Sequence, residues 1–178
     1  MKGSIFIALN EMVVEKYGLG TWLDIIDYAG VEGIYTSTQN YDDSELTALV
    51  ETICLELAAP ADQVVRNFGE YLFDYLHKAH PVFANAQPDF FSFIDSIDGV
   101  IHVEVHKLDE SANTPHISVK KVESDVAILQ YQSPRKLCHL AEGLLLGAAR
   151  LYGINIEISQ PKCMHDGEAS CELLIRKI

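Results

Sequence analysis

Three polar side chains that suit anion binding occupy alternate positions in a short segment of the C-terminal half. They are Tyr131, Ser133 and Arg135, in the stretch Tyr-Gln-Ser-Pro-Arg. In an extended segment, alternate side chains project to the same side, so all three can converge on one acidic group. A guanidinium binds a carboxylate through two hydrogen bonds, and a phenol and a hydroxyl can donate two more. The pattern predicts a carboxylate clamp. The alternative is a strand edge where Arg135 pairs with a nearby acid and Tyr131 packs in the core.

His102 lies 29 residues before Tyr131, between the apolar residues Ile101 and Val103. A neutral imidazole from an apolar segment is the usual axial ligand of haem iron. A haem also carries two carboxylates, its propionates, so His102 and the clamp together predict a haem pocket. The competing interpretation is an ordinary core histidine that makes one hydrogen bond. His106, four residues later, is the nearest rival for the ligand role.

The order and spacing of these residues resemble the haem-nitric oxide/oxygen binding (H-NOX) family, the sensor domain related to that of soluble guanylate cyclase. The resemblance includes Pro115 between the histidine and the clamp, the opening Met1-Lys2-Gly3 with an apolar helix after it, and the length, so it covers essentially the whole chain. It implies an α+β fold in one domain, residues 1–178, with a helical part at about 1–108 and a sheet-containing part at about 109–178. Haem b is expected between the two parts.

The resemblance also assigns individual roles around that haem. The family carries its iron-ligating histidine on a long helix, and His102 matches that position better than His106. Pro115 is similar to a residue whose ring presses on the porphyrin, and Ile5 is expected to pack from the opposite side. In both cases an ordinary packing role is the alternative, because proline stiffens any turn and an apolar helix residue suits any core.

Residue 140 bears on which gas binds. Oxygen-binding members carry a tyrosine there that donates a hydrogen bond to dioxygen, whereas this chain has Leu140, with Leu9 and Leu144 as expected apolar neighbours. The absence of a phenol resembles the NO-selective members, in which NO binding breaks the iron–histidine bond and lets the helices relax. The resemblance therefore implies a nitric oxide sensor without catalytic turnover. Its output is expected to pass to a separate effector, either a histidine kinase or a diguanylate cyclase.

A second candidate site consists of three cysteines, Cys138, Cys163 and Cys171. Three thiolates and one imidazole make a tetrahedral zinc site, and the cysteines look like a zinc cluster that some bacterial relatives carry. A histidine just before the second cysteine would suit that pattern, but Gln160 stands there, which leaves His165 or His139 as the fourth ligand. The alternatives are three buried thiols without metal, or a zinc- or thiol-based redox sensor in which these cysteines carry the signal.

Composition narrows the class of protein further. The chain has 178 residues, of which 48% are hydrophobic, enough for one domain with a sizeable core. Its net charge of −13 argues against binding to a nucleic-acid backbone. No apolar run reaches the roughly 18–20 residues that a membrane span needs, and no export signal is evident, so we expect a cytoplasmic location.

Apolar periodicity predicts helices in the first two-thirds of the chain and strands in the rest. We expect helices at about 3–16, at about 21–29, after Asp42 and Asp43, from Pro60 to near His80, and after the clamp. A hairpin is expected from 116–121 and 126–132, and two further strands from 154–159 and 171–178, which together make an antiparallel sheet.

The segment around His102 is ambiguous. Ile101, Val103 and Val105 alternate with polar residues as in a strand, but apolar residues also recur there at helical spacing. The resemblance favours the helix. A strand would instead bring His102, Glu104 and His106 to one face, as in an enzyme with a non-haem metal.

Overall fold

The N-terminal half folds into helices whose bounds follow the glycine and proline positions. The computed structural model describes residues 1–110 and 112–178. The helices before the His102 segment are α1 (Gly3–Tyr17), α2 (Leu19–Ala29), α3 (Asp43–Leu57), α4 (Ala61–Ala79) and the short α5 (Val82–Asn85). The side chain of Asp42 caps α3 by accepting a hydrogen bond from the backbone N–H of Ser44 at 2.8 Å. The predicted helices of this half are thereby confirmed.

The His102 segment is helical and includes one wide turn. Helix α6 (Phe90–Ser96) runs into a π-helical turn (Ile97–His102), which continues into α7 (Val103–Leu108). Phe90 and Ile94 are buried on the helix face that their spacing indicated. The strand alternative is wrong here, because the apolar contacts of the helical face outweigh the local β-propensity of the valines and isoleucines. The metal site that required a strand face is excluded with it.

The C-terminal part forms an antiparallel sheet with a helix packed beside it. The strands are β1 (His116–Glu123), β2 (Val126–Gln132), β3 (Ile156–Lys162) and β4 (Cys171–Lys177), and helix α8 (Cys138–Leu151) lies between β2 and β3 in the sequence. The strand order is β1-β2-β4-β3. The predicted hairpin and the α+β class are confirmed.

Two apolar clusters fill the interior. The helical cluster collects side chains from α1 to α4, and the sheet cluster collects those of the four strands, α6 and one face of α8. Leu137 and Leu144 contact both clusters. Helix α6 precedes residue 108, yet it packs with the sheet cluster through Phe90, Phe93 and Ile94. The boundary between the two clusters therefore runs along α8 and the start of the His102 helix.

Helices α4 and α8 cross at very close range because glycines face each other. A Cβ atom built on Gly143 would lie 2.7 Å from the Cα atom of Gly69 and closer still to the carbonyl oxygen of Arg66. Beside this crossing, Arg66 forms an ion pair with the buried carboxylate of Glu142 at 2.7 Å. The close approach brings α8 into contact with both clusters at once.

No helix in the described part of the chain is long and apolar enough to cross a membrane.

The glycine contact predicts a large stability loss for Gly143→Ala. Overpacking at a rigid backbone contact costs about 1–3 kcal/mol in the free energy of unfolding, measurable by urea denaturation. Gly20→Ala in α2 is the matched control, because a Cβ atom there meets nothing within 4 Å. That control is expected to lose no stability. Equal stabilities of the two variants would contradict the proposed crossing.

Candidate functional site

The three clamp residues contact one another at the end of β2. Tyr131 and Ser133 are each only 3% exposed. The Tyr131 hydroxyl oxygen accepts a hydrogen bond from the backbone N–H of Leu137 at 3.1 Å and is also hydrogen-bonded to the Ser133 hydroxyl. The Ser133 oxygen accepts from the backbone N–H of Arg135 at 3.3 Å. Burial raises the pKa of Tyr131, so the phenol keeps its proton and can donate a hydrogen bond to an anion.

The extended segment expected for the clamp is shorter than the alternation indicated. Strand β2 ends at Gln132, and Arg135 lies in a turn that is followed by Lys136 at a φ of 51°. The extended conformation expected for all three clamp residues therefore does not reach Arg135, whereas the predicted strand at 126–132 is confirmed. The residues still alternate in burial, and the turn directs the guanidinium away from the sheet towards α3.

Arg135 joins the clamp to the helical part of the chain. Its Nε donates to Asp43 Oδ2 at 2.6 Å, and its Nη1 donates to the carbonyl oxygen of Asn113. No partner of Nη2 is found within residues 1–110 and 112–178. Burial, the largest single effect, would raise the pKa of Asp43, but the hydrogen bonds and positive charges of Arg135 and the N-terminal ammonium together outweigh it and hold that pKa below its ordinary value. The arginine pairs with an acid, as the alternative interpretation expected, but with one 92 residues away.

His102 presents one ring nitrogen to the protein and leaves the other open. Its Nδ1 lies 3.0 Å from Asp98 Oδ1, and the side chain is 15% exposed. A carboxylate accepts, so Nδ1 carries the proton and Nε2 keeps its lone pair. Nε2 has no hydrogen-bond partner among the residues the structure describes. Ile97 and Ile101, on the same helical segment, pack against the sheet cluster. The tautomer with the proton on Nδ1 and a free lone pair on Nε2 is the one in which an imidazole binds iron.

Asp98 is a functional candidate that the sequence analysis did not identify. Its Oδ1 also accepts a hydrogen bond from the backbone N–H of Ile117 at 3.3 Å. Ile117 lies directly opposite Tyr131 in the β1–β2 hairpin. The histidine is thus tied through one carboxylate to the strand pair that carries the clamp. The spacing Asp98 to His102, four residues apart in a helix, is the signal that could have found it.

The other residues expected around a haem come from α1, α8 and the segment just before β1. Ile5, Leu9, Leu140 and Leu144 all belong to or pack against the helical cluster. Pro115 is half-buried immediately before β1.

His106 is exposed and contacts Thr114, with Nε2 3.0 Å from Oγ1. It faces away from both apolar clusters, which agrees with the choice of His102 over His106 as the ligand.

These donors fit a haem by their chemistry. Iron requires an open imidazole nitrogen, which His102 has, and the propionates require donors, which the clamp supplies. The apolar leucines of the helical cluster and the isoleucines beside His102 provide the dry walls that a macrocycle needs. An imidazole with an open nitrogen and an anion clamp would hold a haem, and the apolar side chains would line its site.

Comparisons with known proteins show the family to which the chain belongs. A family model described as Haem-NO-binding matches residues 2–160. The match spans most of the sequence, and the chain belongs to the haem-NO-binding (H-NOX) family.

Solved structures with the same fold include two H-NOX proteins. One from S. oneidensis, in the Fe(II)NO ligation state, is 38% identical with a TM-score of 0.94, and the match covers 100% of this chain and 99% of that chain. One from K. algicida, in the unliganded Fe(II) state, is 27% identical with a TM-score of 0.91, covering 100% and 97%.

Curated relatives are longer. Soluble guanylate cyclase gcy-34 of Caenorhabditis elegans is 25% identical over 166 residues, which cover 89% of this chain and 24% of the relative. The chain therefore spans about a quarter of the length of the curated relatives it matches.

The three cysteines converge at the N-terminal end of α8, where the loop between β3 and β4 packs. Cys138, Cys163 and Cys171 are all buried, and their sulfur atoms lie within 4.8 Å of one another. The distance from Cys138 Sγ to Cys163 Sγ is 3.9 Å. Burial raises the pKa of Cys138 to about 12 and also raises that of Cys171. Without a metal, Cys138 and Cys171 therefore keep their protons at neutral pH.

Candidate fourth ligands lie next to these thiols. His139 and His165 stack with ring centroids 5.8 Å apart, and their ring nitrogens lie within 4.8 Å of Cys138 Sγ and of each other. His165 Nε2 lies 2.8 Å from the Lys136 carbonyl oxygen. The Gln160 amide also approaches Cys138, and its Nε2 is buried without an oxygen or nitrogen partner in the described part of the chain. The cluster thus has the geometry of a small metal site, but its fourth position is not fixed by the fold.

The Asp43–Arg135 contact predicts a pH-dependent stability. The folded-state pKa of Asp43 lies below its unfolded value of about 4, so the contribution is fully present above pH 4 and is lost as the pH falls through the folded pKa. The Asp43 side chain is 46% exposed, and solvent screening limits the pair to about 0.5–1 kcal/mol. Asp43→Asn should lower the free energy of unfolding by that amount at pH 7.

Urea denaturation between pH 2 and pH 7 measures this effect, with exposed Asp24→Asn as the control. The control is expected to change stability by less than about 0.5 kcal/mol at pH 7. A deficit of Asp43→Asn that persists undiminished at the lowest pH would show that the ion pair is not its cause.

Proposed function

We propose that this protein is a haem b-based nitric oxide sensor in which His102 is the axial ligand of the iron. The observation that carries the proposal is the open Nε2 of an imidazole whose Nδ1 is held by Asp98. Haem b, when bound, supplies a ferrous iron that coordinates a diatomic gas. The side chains around the haem would bind its propionates, set the gas preference and transmit the signal.

Tyr131, Ser133 and Arg135 are proposed to bind the propionates. The phenol and hydroxyl are buried donors with fixed directions, and the guanidinium adds a positive charge. Arg135 can keep its Nε on Asp43 while Nη2 turns to a propionate. The clamp would then connect the haem edge to α3 in the helical part.

The gas preference is proposed to follow from the distal wall. Leu140 offers no hydrogen-bond donor, so dioxygen, which carries partial negative charge when bound, gains no stabilisation from residue 140. Nitric oxide would depend less on such a hydrogen bond, because its bond to ferrous iron would hold it. Pro115 and Ile5 are proposed to contact the macrocycle and set its shape.

Signalling is proposed to begin when NO binding detaches His102 and lets the π-helical turn, α7 and the N-terminal helices relax. The output is a change in affinity for a partner that distinguishes the two states. We propose a separate effector, a histidine kinase or a diguanylate cyclase, no turnover by this chain itself and a cytoplasmic location. The net charge of −13 favours a basic docking surface on that partner.

The axial ligand predicts the spectra of the reduced protein. Wild type should show a haem Soret band that shifts on NO addition to the spectrum of iron without an imidazole ligand. His102→Gly should lose the ferrous wild-type spectrum and regain it with added imidazole, whereas His106→Gly should keep it. In air, the ferrous wild type is expected to form no stable dioxygen complex. A colourless protein after expression with ample haem, or an unchanged spectrum in His102→Gly, would rule out the assignment.

A second candidate function rests on the convergence of the three thiols. Cys138, Cys163 and Cys171 supply three sulfur ligands within 4.8 Å, which suits a zinc ion with His165 or His139 as the fourth ligand. Such a centre, or the thiols without metal, could respond to oxidants independently of the haem.

Metal analysis of the protein purified without chelators decides this second candidate. The zinc proposal expects about one zinc per chain, lost in Cys171→Ser and retained in Cys54→Ser, since Cys54 packs against the helical cluster. Replacing His165 and His139 singly by alanine should identify the fourth ligand by the larger loss. No zinc in the wild type after growth with added zinc would leave only the thiol alternative.

A further inference from the structure

We propose that Asp98 is a positioning residue that holds His102 as the ligand tautomer and sets how readily the imidazole leaves the iron. The inference rests on the proposed role of His102. It concerns a carboxylate to which neither the family match nor the sequence pattern gave a role.

Three groups converge on this one carboxylate from two elements. On Oδ1 it meets His102 Nδ1 at 3.0 Å and the Ile117 N–H at 3.3 Å, and on Oδ2 it meets His116 Nδ1 at 3.2 Å. A carboxylate that is approached by donors on both of its oxygens acts as a strong hydrogen-bond acceptor.

The π-helical turn places the carboxylate under the imidazole. A π-helix bonds each residue to the fifth one along, so residues four apart lie close on one face. Asp98 and His102 are four apart within the turn, while Gly99 and Val100 between them are exposed. The π-helical turn thus places Asp98 and His102 on one face of the helix. Such turns are frequent at functional sites.

A carboxylate on Nδ1 changes what Nε2 can do. It fixes the proton on Nδ1, orients the ring and makes the imidazole a more basic ligand, and loss of such a partner typically changes metal affinity about 10–100-fold. The same Oδ1 binds the N–H of Ile117, which lies opposite Tyr131 in the hairpin. Asp98 therefore fixes the ring relative to the clamp and resists the detachment of His102 when NO binds.

Two substitutions separate the charge of Asp98 from its role as an acceptor. Asp98→Asn keeps an oxygen acceptor but removes the charge, and Asp98→Ala removes both. Asp95→Asn, an exposed acid one turn earlier, is the matched control, and His116→Ala removes only the partner of Oδ2.

The first measurement is the nitrogen NMR spectrum of His102 in the full-length, haem-free chain. Wild type, Asp95→Asn and His116→Ala should show the Nδ1–H tautomer alone, and Asp98→Ala should show a mixture. Fold retention is checked in the same spectra. This readout does not depend on haem binding.

The second measurement is the iron–histidine stretching frequency of the reduced holoprotein, with the rate at which NO removes the imidazole. The frequency should fall in both Asp98 variants, and the rate should rise about tenfold in Asp98→Asn. Neither should change in Asp95→Asn. Wild-type tautomer and stretching frequency in both Asp98 variants would overturn the inference while leaving His102 as the ligand. An unchanged spectrum in His102→Gly would instead overturn the proposed function, and the haem-free tautomer would still decide whether Asp98 holds the ring.

Discussion

The close crossing of α4 and α8 at Gly69 and Gly143 is the contact on which both halves of the molecule depend. Because neither residue has a side chain, the two backbones approach to a distance that any Cβ atom would forbid. Helix α8 then lies deep enough to present different faces to the two clusters. Leu140 and Leu144 face the helical cluster, while Ala141 and Leu145 pack in the sheet cluster. Leu140, the residue proposed to line the gas site, takes its position because helix α8 packs against both clusters.

Ion pairs that join α8 and the clamp to the helical part differ in burial. In the Arg66–Glu142 pair the carboxylate is buried at the glycine crossing, where an unpaired charge would be costly, so the pair favours one register of α4 on α8. The Arg135–Asp43 pair is more exposed and therefore weaker. The glycine crossing and the Arg66–Glu142 pair therefore hold α4 on α8 more firmly than the Arg135–Asp43 pair holds the clamp on α3.

Much of the fold and of the donor set could be predicted from the sequence, because periodicity and residue type act locally. The caps, the hairpin and the thiol cluster follow from side chains near one another in the chain or from resemblance. His102 was the ambiguous case, since β-branched neighbours favoured a strand and only the longer apolar pattern from Phe90 onward favoured a helix. Asp43 and Asp98 were missed as partners. The partner of Asp43 is an arginine 92 residues away, which no local pattern indicates, whereas Asp98 could have been found only once the His102 segment was known to be helical.

Helix α8 also connects the two candidate sites. Its first residue, Cys138, belongs to the thiol cluster, and Leu140, two residues on, faces the helical cluster on the opposite side. A helix moves as a rigid rod over such a short distance, so a displacement of Cys138 displaces Leu140 as well. The glycine crossing restrains sliding of that rod but leaves its N-terminal end held by the buried thiols and the Arg66–Glu142 pair. A displacement of Cys138, on metal binding or on disulfide formation with an added oxidant, would therefore be expected to shift Leu140, the residue proposed to line the gas site.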